Sequence, residues 1–168
     1  MTSDPSREQR GGTRQDRVVR RRRAARLAVV QALYQAEISS AAPDKIALEF
    51  LQHRLTEDLD GLTLGDIDQK LFLDVFRGTH EKRQELDDML MAVIAEDWSV
   101  ERLDSMLRHI LRAASWELGY NTQAPAKVLV AEYVGLAHDF FAAREAGMAN
   151  GMLNRLARDL RPEEFSAA

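Results

Sequence analysis

The sequence predicts an all-α protein of about seven helices. Three observations carry this. Apolar residues recur at helical spacing in at least five segments. No segment alternates with the two-residue period of a strand. The breaks between segments carry Ser, Asp, Pro and Gly at places that start or stop helices. At 168 residues, the chain is one domain or two small helical subdomains sharing a core.

The elements follow in order. Residues 1–16 are polar, contain Pro5 and Gly11-Gly12, and are expected to be a disordered arm. A first helix begins near Arg17, and Leu27, Val30, Tyr34 and Ile38 line one stripe of it until Ser39-Ser40. Pro43-Asp44 opens a second helix carrying Phe50, Leu51 and Leu55. Asp60-Gly61 to Gly65 reads as a loop. Asp66, with Gln69 three residues on, resembles a capping box for a third helix bearing Leu71, Phe72, Val75 and Phe76. Gly78 weakens that helix near its end.

A fourth stripe runs through Leu86, Met89, Leu90, Val93 and Ile94, with an indistinct break before it. Ser99 is expected to cap a fifth helix, with Glu101 in the first turn where the helix dipole favours an anion. Leu103, Met106, Leu107, Ile110, Leu111, Ala114 and Leu118 make it the most regular stripe. After a turn at Asn121–Ala124, Pro125 fits the first turn of a sixth helix burying Val130, Tyr133, Val134, Ala137 and Phe141. A last helix from near Arg144 carries Met148, Met152, Leu156 and Leu160 until Pro162. The helical domain thus spans 17–162, with a short tail at 163–168.

Composition excludes several functions. There is no cysteine, hence no disulfide, thiolate zinc site or cysteine nucleophile. No apolar run approaches the length of a membrane span, and no apolar segment follows the first arginines as in a secretory signal. A cytoplasmic protein is the expectation. Neither Gly-rich phosphate loop nor His-Glu-x-x-His is present. The four histidines (53, 80, 109, 138) fall in four different elements. Acid pairs such as Glu57-Asp58, Asp87-Asp88 and Glu96-Asp97 diverge on a helix and read as solvated faces. No catalytic constellation emerges, no cofactor is implied, and the chain reads as a binding module rather than an enzyme.

Charge is unevenly placed. Residues 1–26 hold nine arginines against three acids, a net of +6, whereas the whole chain is −4. The remainder therefore carries −10. Confining positive charge to one arm makes a local phosphate-binding surface.

The arginine run entering Ala32-Leu33-Tyr34 resembles the opening helix of the NusB transcription antitermination factors. Trp98 to Leu103, followed by Ile110 to Leu118, resembles that family's fifth helix. Pro125 to Val128, Glu132 and Val134 to Ala137 resemble its sixth, and Asn150 to Asn154 with the following Arg-Leu-Ala157 its last. These motifs stand in the family's order and spacing over residues 17–162. The resemblance implies a seven-helix fold in two subdomains. It also implies a non-catalytic role in an antitermination complex on elongating RNA polymerase. The implied partners are boxA-type single-stranded RNA of ribosomal RNA transcripts and NusE, a small-subunit ribosomal protein. The same fold occurs as an N-terminal domain on ribosomal RNA cytosine methyltransferases. A chain of this length leaves no room for their catalytic half, which favours a stand-alone factor.

The resemblance assigns RNA contacts to Arg20, Arg21, Arg22, Arg23 and Arg26. Guanidinium groups pair with phosphate oxygens and stack on unpaired bases. A solvated basic helix end is the bland alternative. Tyr34 matches a family position near the RNA, where its ring could stack on a base, yet it also sits on the apolar stripe. At the start of the last helix, Arg144 stands where the family has an acid, Gly147 where it has lysine, and Met148 where it has an aromatic. Arg144 is assigned a phosphate contact and Met148 a place in the core. Glu101 matches an acidic position facing NusE, although the helix dipole alone would also explain it. Two rival readings remain: a helical protein-interaction module whose arm docks on acidic protein, and a stand-alone relative of the methyltransferase domain.

Overall fold

The computed structural model describes residues 12–54 and 67–166, and no strand occurs among them. They form seven α-helices: α1 (Arg14–Ser39), α2 (Pro43–Glu49), α3 (Gln69–Glu81), α4 (Arg83–Val93), α5 (Ser105–Tyr120), α6 (Ala126–Phe140) and α7 (Ala143–Leu160). A π-helical turn, Phe50–Arg54, extends α2, and short 3-10 turns lie at Val100–Arg102 and Pro162–Glu164. Leu55, Asp66 and the loop expected at 60–65 lie outside the described residues, as do residues 1–11.

Helix α1 begins earlier than expected. Thr13 and Asp16 form a reciprocal capping box, with the Asp16 N–H donating to Thr13 Oγ1 at 3.1 Å and the Thr13 N–H to Asp16 Oδ2 at 3.0 Å. Residues 12–16, expected to be disordered, are instead the cap and first turn. The helix ends at Ser40, whose φ of 56° is left-handed.

The buried face of α1 is also not the expected one. Tyr34 and Ile38 are 39% and 65% exposed, and Leu27 is half-buried. The core face is Ala24, Ala25, Ala28, Val29, Val30, Ala32 and Leu33, so of the expected stripe Val30 alone is fully buried. The small alanine side chains let α3 and α5 pack close against α1.

Around α1 the helices share one continuous apolar core. Phe72, Val75 and Phe76 of α3 are fully buried, and the rings of Phe50, Phe72 and Phe76 stack in succession at 5.9 Å. The cap of α3 is Asp68, whose carboxylate accepts from the Leu71 N–H at 3.0 Å. Gly78 serves packing: a Cβ there would stand 2.1 Å from the Trp116 ring of α5. The α3–α4 break falls at Lys82, whose N–H bonds back to Gly78 while its carbonyl accepts from Leu86.

Ser99 makes no side-chain cap and leads only into the 3-10 turn at Val100–Arg102. Helix α5 starts after it, capped by Asp104, whose carboxylate accepts from the Met106 N–H at 2.9 Å. Its other end is closed by a distant residue. Arg161, buried beyond α7, donates to the carbonyls of Glu117, Leu118, Asn121 and Ala124. A guanidinium there satisfies C-terminal carbonyls and complements the helix dipole. Pro125 precedes α6 rather than opening it, and Glu164 accepts the Ala126 N–H.

Candidate nucleic-acid interface

None of residues 12–23 is buried, and the first buried residue of α1 is Ala24. The N-terminal end of α1 is thus largely exposed, although the Arg21 carbonyl accepts from the Asp68 N–H at 3.2 Å. Arg14, Arg17 and Arg21 lie on the side that continues the alanine face, because 3.6-residue periodicity stacks them in line with Ala25, Ala28 and Ala32. Along that side the helix meets solvent with guanidinium groups where farther on it meets the core with methyls.

The assigned arginines separate into three kinds. Arg20, Arg21 and Arg22 are exposed and form no salt bridge among the described residues. Arg20 lies near Asp16, whose carboxyl stays below its ordinary value mainly through the Thr13 hydroxyl. Arg23 is held by a bidentate bond to Glu132 of α6, at 3.1 and 3.0 Å. Its side chain is still 59% exposed, so the pair contributes about 0–1 kcal/mol and a phosphate could replace it.

Arg26 is the correction. It is buried, and its fork closes on Glu117 of α5 at 2.7 and 3.1 Å. Glu117 also accepts from the Tyr133 hydroxyl and from Asn121. Burial works against the Arg26 charge, but the bond to Glu117 more than offsets it. Burial lifts the Tyr133 phenol well above its ordinary value. Arg26 therefore ties α1 to α5 and α6, and its guanidinium is engaged by Glu117 rather than free for a phosphate. The signal was in the sequence: Arg26 alone is polar between Ala24 and Val30. Its partner, 91 residues away, was not.

Arg17, exposed and unpaired among the described residues, belongs with the free arginines, although the motif did not single it out. Glu132, a residue of the sixth-helix motif with no assigned contact, orients Arg23.

Tyr34 shares one exposed side of α1 with Arg20 and Arg23, and the helix rise places it about 20 Å beyond Arg20. Its ring meets His109 edge to face at 6.5 Å. His109 is buried, and its Nε2 bonds Glu37, which also accepts from Ser105 at 2.6 Å and Arg108 at 3.1 Å. His109 Nδ1 is buried with no partner among the described residues. Burial holds the His109 ring below its usual pKa, against the pull of Glu37. Burial opposes the Glu37 charge too, yet its bonds from Ser105 and His109 keep the carboxyl below its usual range. Neutral His109 donating Nε2–H to ionised Glu37 fits both.

A pH dependence follows. The unfolded chain takes up the His109 proton near pH 6.5, and the folded chain only at lower pH. Between those values the unfolded state holds the extra proton, so stability is lost as pH falls below about 6.5. The wild type should lose more in Tm between pH 7.5 and 5.5 than His109→Gln. Equal losses in both proteins would contradict the assignment.

Arg144 is exposed in the first turn of α7 and unpaired among the described residues. The Glu132 carboxylate, and more weakly Asp139 near the end of α6, raise the Arg23 pKa. Met148 is half-buried against the core, and a Cβ at Gly147 would meet open space. Glu101 is exposed in the 3-10 turn, and its carbonyl rather than its carboxylate accepts from Arg108. Glu96, Asp97 and Asp104 are exposed beside it in the chain. The surface is thus basic at the start of α1 and acidic before α5.

Comparison with known proteins gives the family and the fold. The NusB family model matches residues 23–158. The transcription antitermination protein NusB of Caulobacter vibrioides is 41% identical over 140 residues, covering 83% of this chain and 94% of its own. Among solved structures, T. maritima NusB superimposes with a TM-score of 0.69 at 28% identity, over 85% of this chain and 95% of that one. A complex of the antitermination factors NusB and NusE with double-stranded RNA matches with a TM-score of 0.67, covering 82% of this chain and 96% of its counterpart. At 16% identity, that last likeness shows the fold alone. No helix among the described residues is long and apolar enough to cross a membrane.

Proposed function

We propose that this chain, which belongs to the NusB family, is a non-catalytic RNA-binding factor of transcription antitermination. It acts in the cytoplasm, holding boxA-type RNA of ribosomal RNA transcripts together with NusE on elongating RNA polymerase. The observation that carries the RNA contact is the set of unpaired, exposed arginines at Arg17, Arg20, Arg21 and Arg22. Arg23 joins them when it leaves Glu132, and Tyr34 and Arg144 extend the surface. Proteins hold single-stranded RNA by this combination of cations and stacking rings.

NusE is assigned to the acidic surface around Glu101. The body after the arm carries −10 and repels a polyanion, so RNA binding by the chain alone is modest. A basic protein seated on that body cancels the repulsion and adds its own contacts. NusE should therefore tighten RNA binding by about 5–150-fold, a coupling of about 1–3 kcal/mol, and RNA should tighten NusE by the same factor. Calorimetry with and without NusE measures both. Equal RNA affinities in the two titrations would exclude cooperation with NusE.

A further inference from the structure

A cleft of about 300 Å³ opens beside the arginine face, between α1, the start of α3 and the end of α5. That is small for a ligand site and suits a single nucleotide. Arg22 stands at its rim, exposed and unpaired among the described residues. One wall is the aromatic pair Trp116 and Tyr120, with ring centroids 5.8 Å apart. Another is the turn after α5, where the side chains of Thr122 and Gln123 have no partner among the described residues.

The lining is nearly neutral. Lys70 is paired with Asp74 at 2.6 Å, Arg26 is spent on Glu117, and Asp68 gives one oxygen to cap α3. A phosphate would gain little inside. An uncharged heterocycle would meet aromatic edges, amide and hydroxyl groups, and carboxylate acceptors for its N–H groups. The free guanidinium of Arg22 can lie flat over it, as arginine planes do over splayed bases.

We propose that this cleft takes one unpaired base of the RNA strand whose phosphates follow the arginines of α1. The proposal rests on the RNA-binding reading above. It adds to that reading a single-nucleotide subsite with its own residues, on the α3–α5 side of α1 and away from Tyr34 and Arg144.

The test uses the full chain carrying Trp98→Phe, which leaves Trp116 as the sole indole reporter. Anisotropy of end-labelled boxA-type RNA follows binding as a whole, and Trp116 emission follows the cleft. Saturating RNA should change that emission. Gln123→Ala and Tyr120→Ala should each weaken RNA about fivefold to tenfold, the scale of one lost base contact. In a set of RNAs each lacking one base, a single position should lose affinity and the emission change together. Gln123→Ala should add nothing to that loss. If RNA binds while Trp116 emission and the Gln123→Ala affinity stay at wild-type levels, the cleft is not a base subsite and the RNA-binding reading stands. Absence of RNA binding at any concentration removes both. If a free mononucleotide binds as tightly as the RNA, the cleft is a small-molecule site and the proposal falls.

Discussion

Replacing Arg26 by alanine should destabilise the fold by about 3–5 kcal/mol, because it strands the fully buried Glu117 carboxylate without its countercharge. In a chain of this size that lowers Tm by on the order of 10 °C. Glu117→Ala should cost a similar amount by leaving Arg26 unpaired, with Tyr133 losing its acceptor as well. The two losses do not add, since each single change leaves a buried partner that the double change removes. Arg26→Met with Glu117→Leu should therefore be more stable than either alanine variant. Thermal melts of the four proteins decide this. A melt of Arg26→Ala within about 1 kcal/mol of wild type would show that Arg26 is not structural and return it to the RNA surface.

The arginines ahead of it should behave in the opposite way. Converting Arg20, Arg21 and Arg22 to alanine together should leave Tm and helical circular dichroism close to wild type, because none of the three is buried or ion-paired among the described residues. RNA affinity should fall on the order of 1,000-fold at low salt, taking each of the three charge-assisted phosphate contacts as about 1.5 kcal/mol. Arg26→Ala and the triple variant thus separate fold from function within one helix. Loss of RNA binding in the triple variant with an equal loss of Tm would mean that these arginines also hold the fold.

The helices themselves were largely legible. Regular stripes such as Leu107, Ile110, Leu111, Ala114 and Leu118 record burial directly, and the structure buries all of them. Misreadings came where small residues or distant partners decide. The alanine face of α1 looks weakly apolar, so Tyr34 and Ile38 drew the stripe to the solvent side. Asp68 and Asp104 cap helices first placed on Asp66 and Ser99, because several polar residues precede each helix and only tertiary packing selects among them. Gly78 looked like a weak point, and Trp116, brought from another helix, turns it into a requirement.

The site was legible as a region and not as a list. The net charge of the arm and the family motifs marked residues 17–26. On a helical wheel, however, Arg26 borders both the bulky stripe and the alanine face, so periodicity alone does not tell that it is buried. The ion pair from Arg23 to Glu132 joins residues 109 apart, and no local pattern encodes it. The cleft beside Arg22 has walls from three helices and was likewise invisible before they were assembled.

The most direct test of the central claim is the salt dependence of RNA binding by the full chain and by the variant lacking Arg20, Arg21 and Arg22. Five phosphate contacts from Arg20 to Arg26 would give a slope of log K against log salt of roughly −3.5, at about −0.7 per contact on a single strand. With Arg26 buried, Arg17, Arg20, Arg21 and Arg22 alone give roughly −2.8, and Arg14, Arg23 and Arg144 steepen it where they reach the strand. The account predicts a slope shallower by roughly 2.1 in the variant than in the wild type, three contacts at about 0.7 each. Parallel slopes for the two proteins, or a wild-type slope near zero, would contradict it.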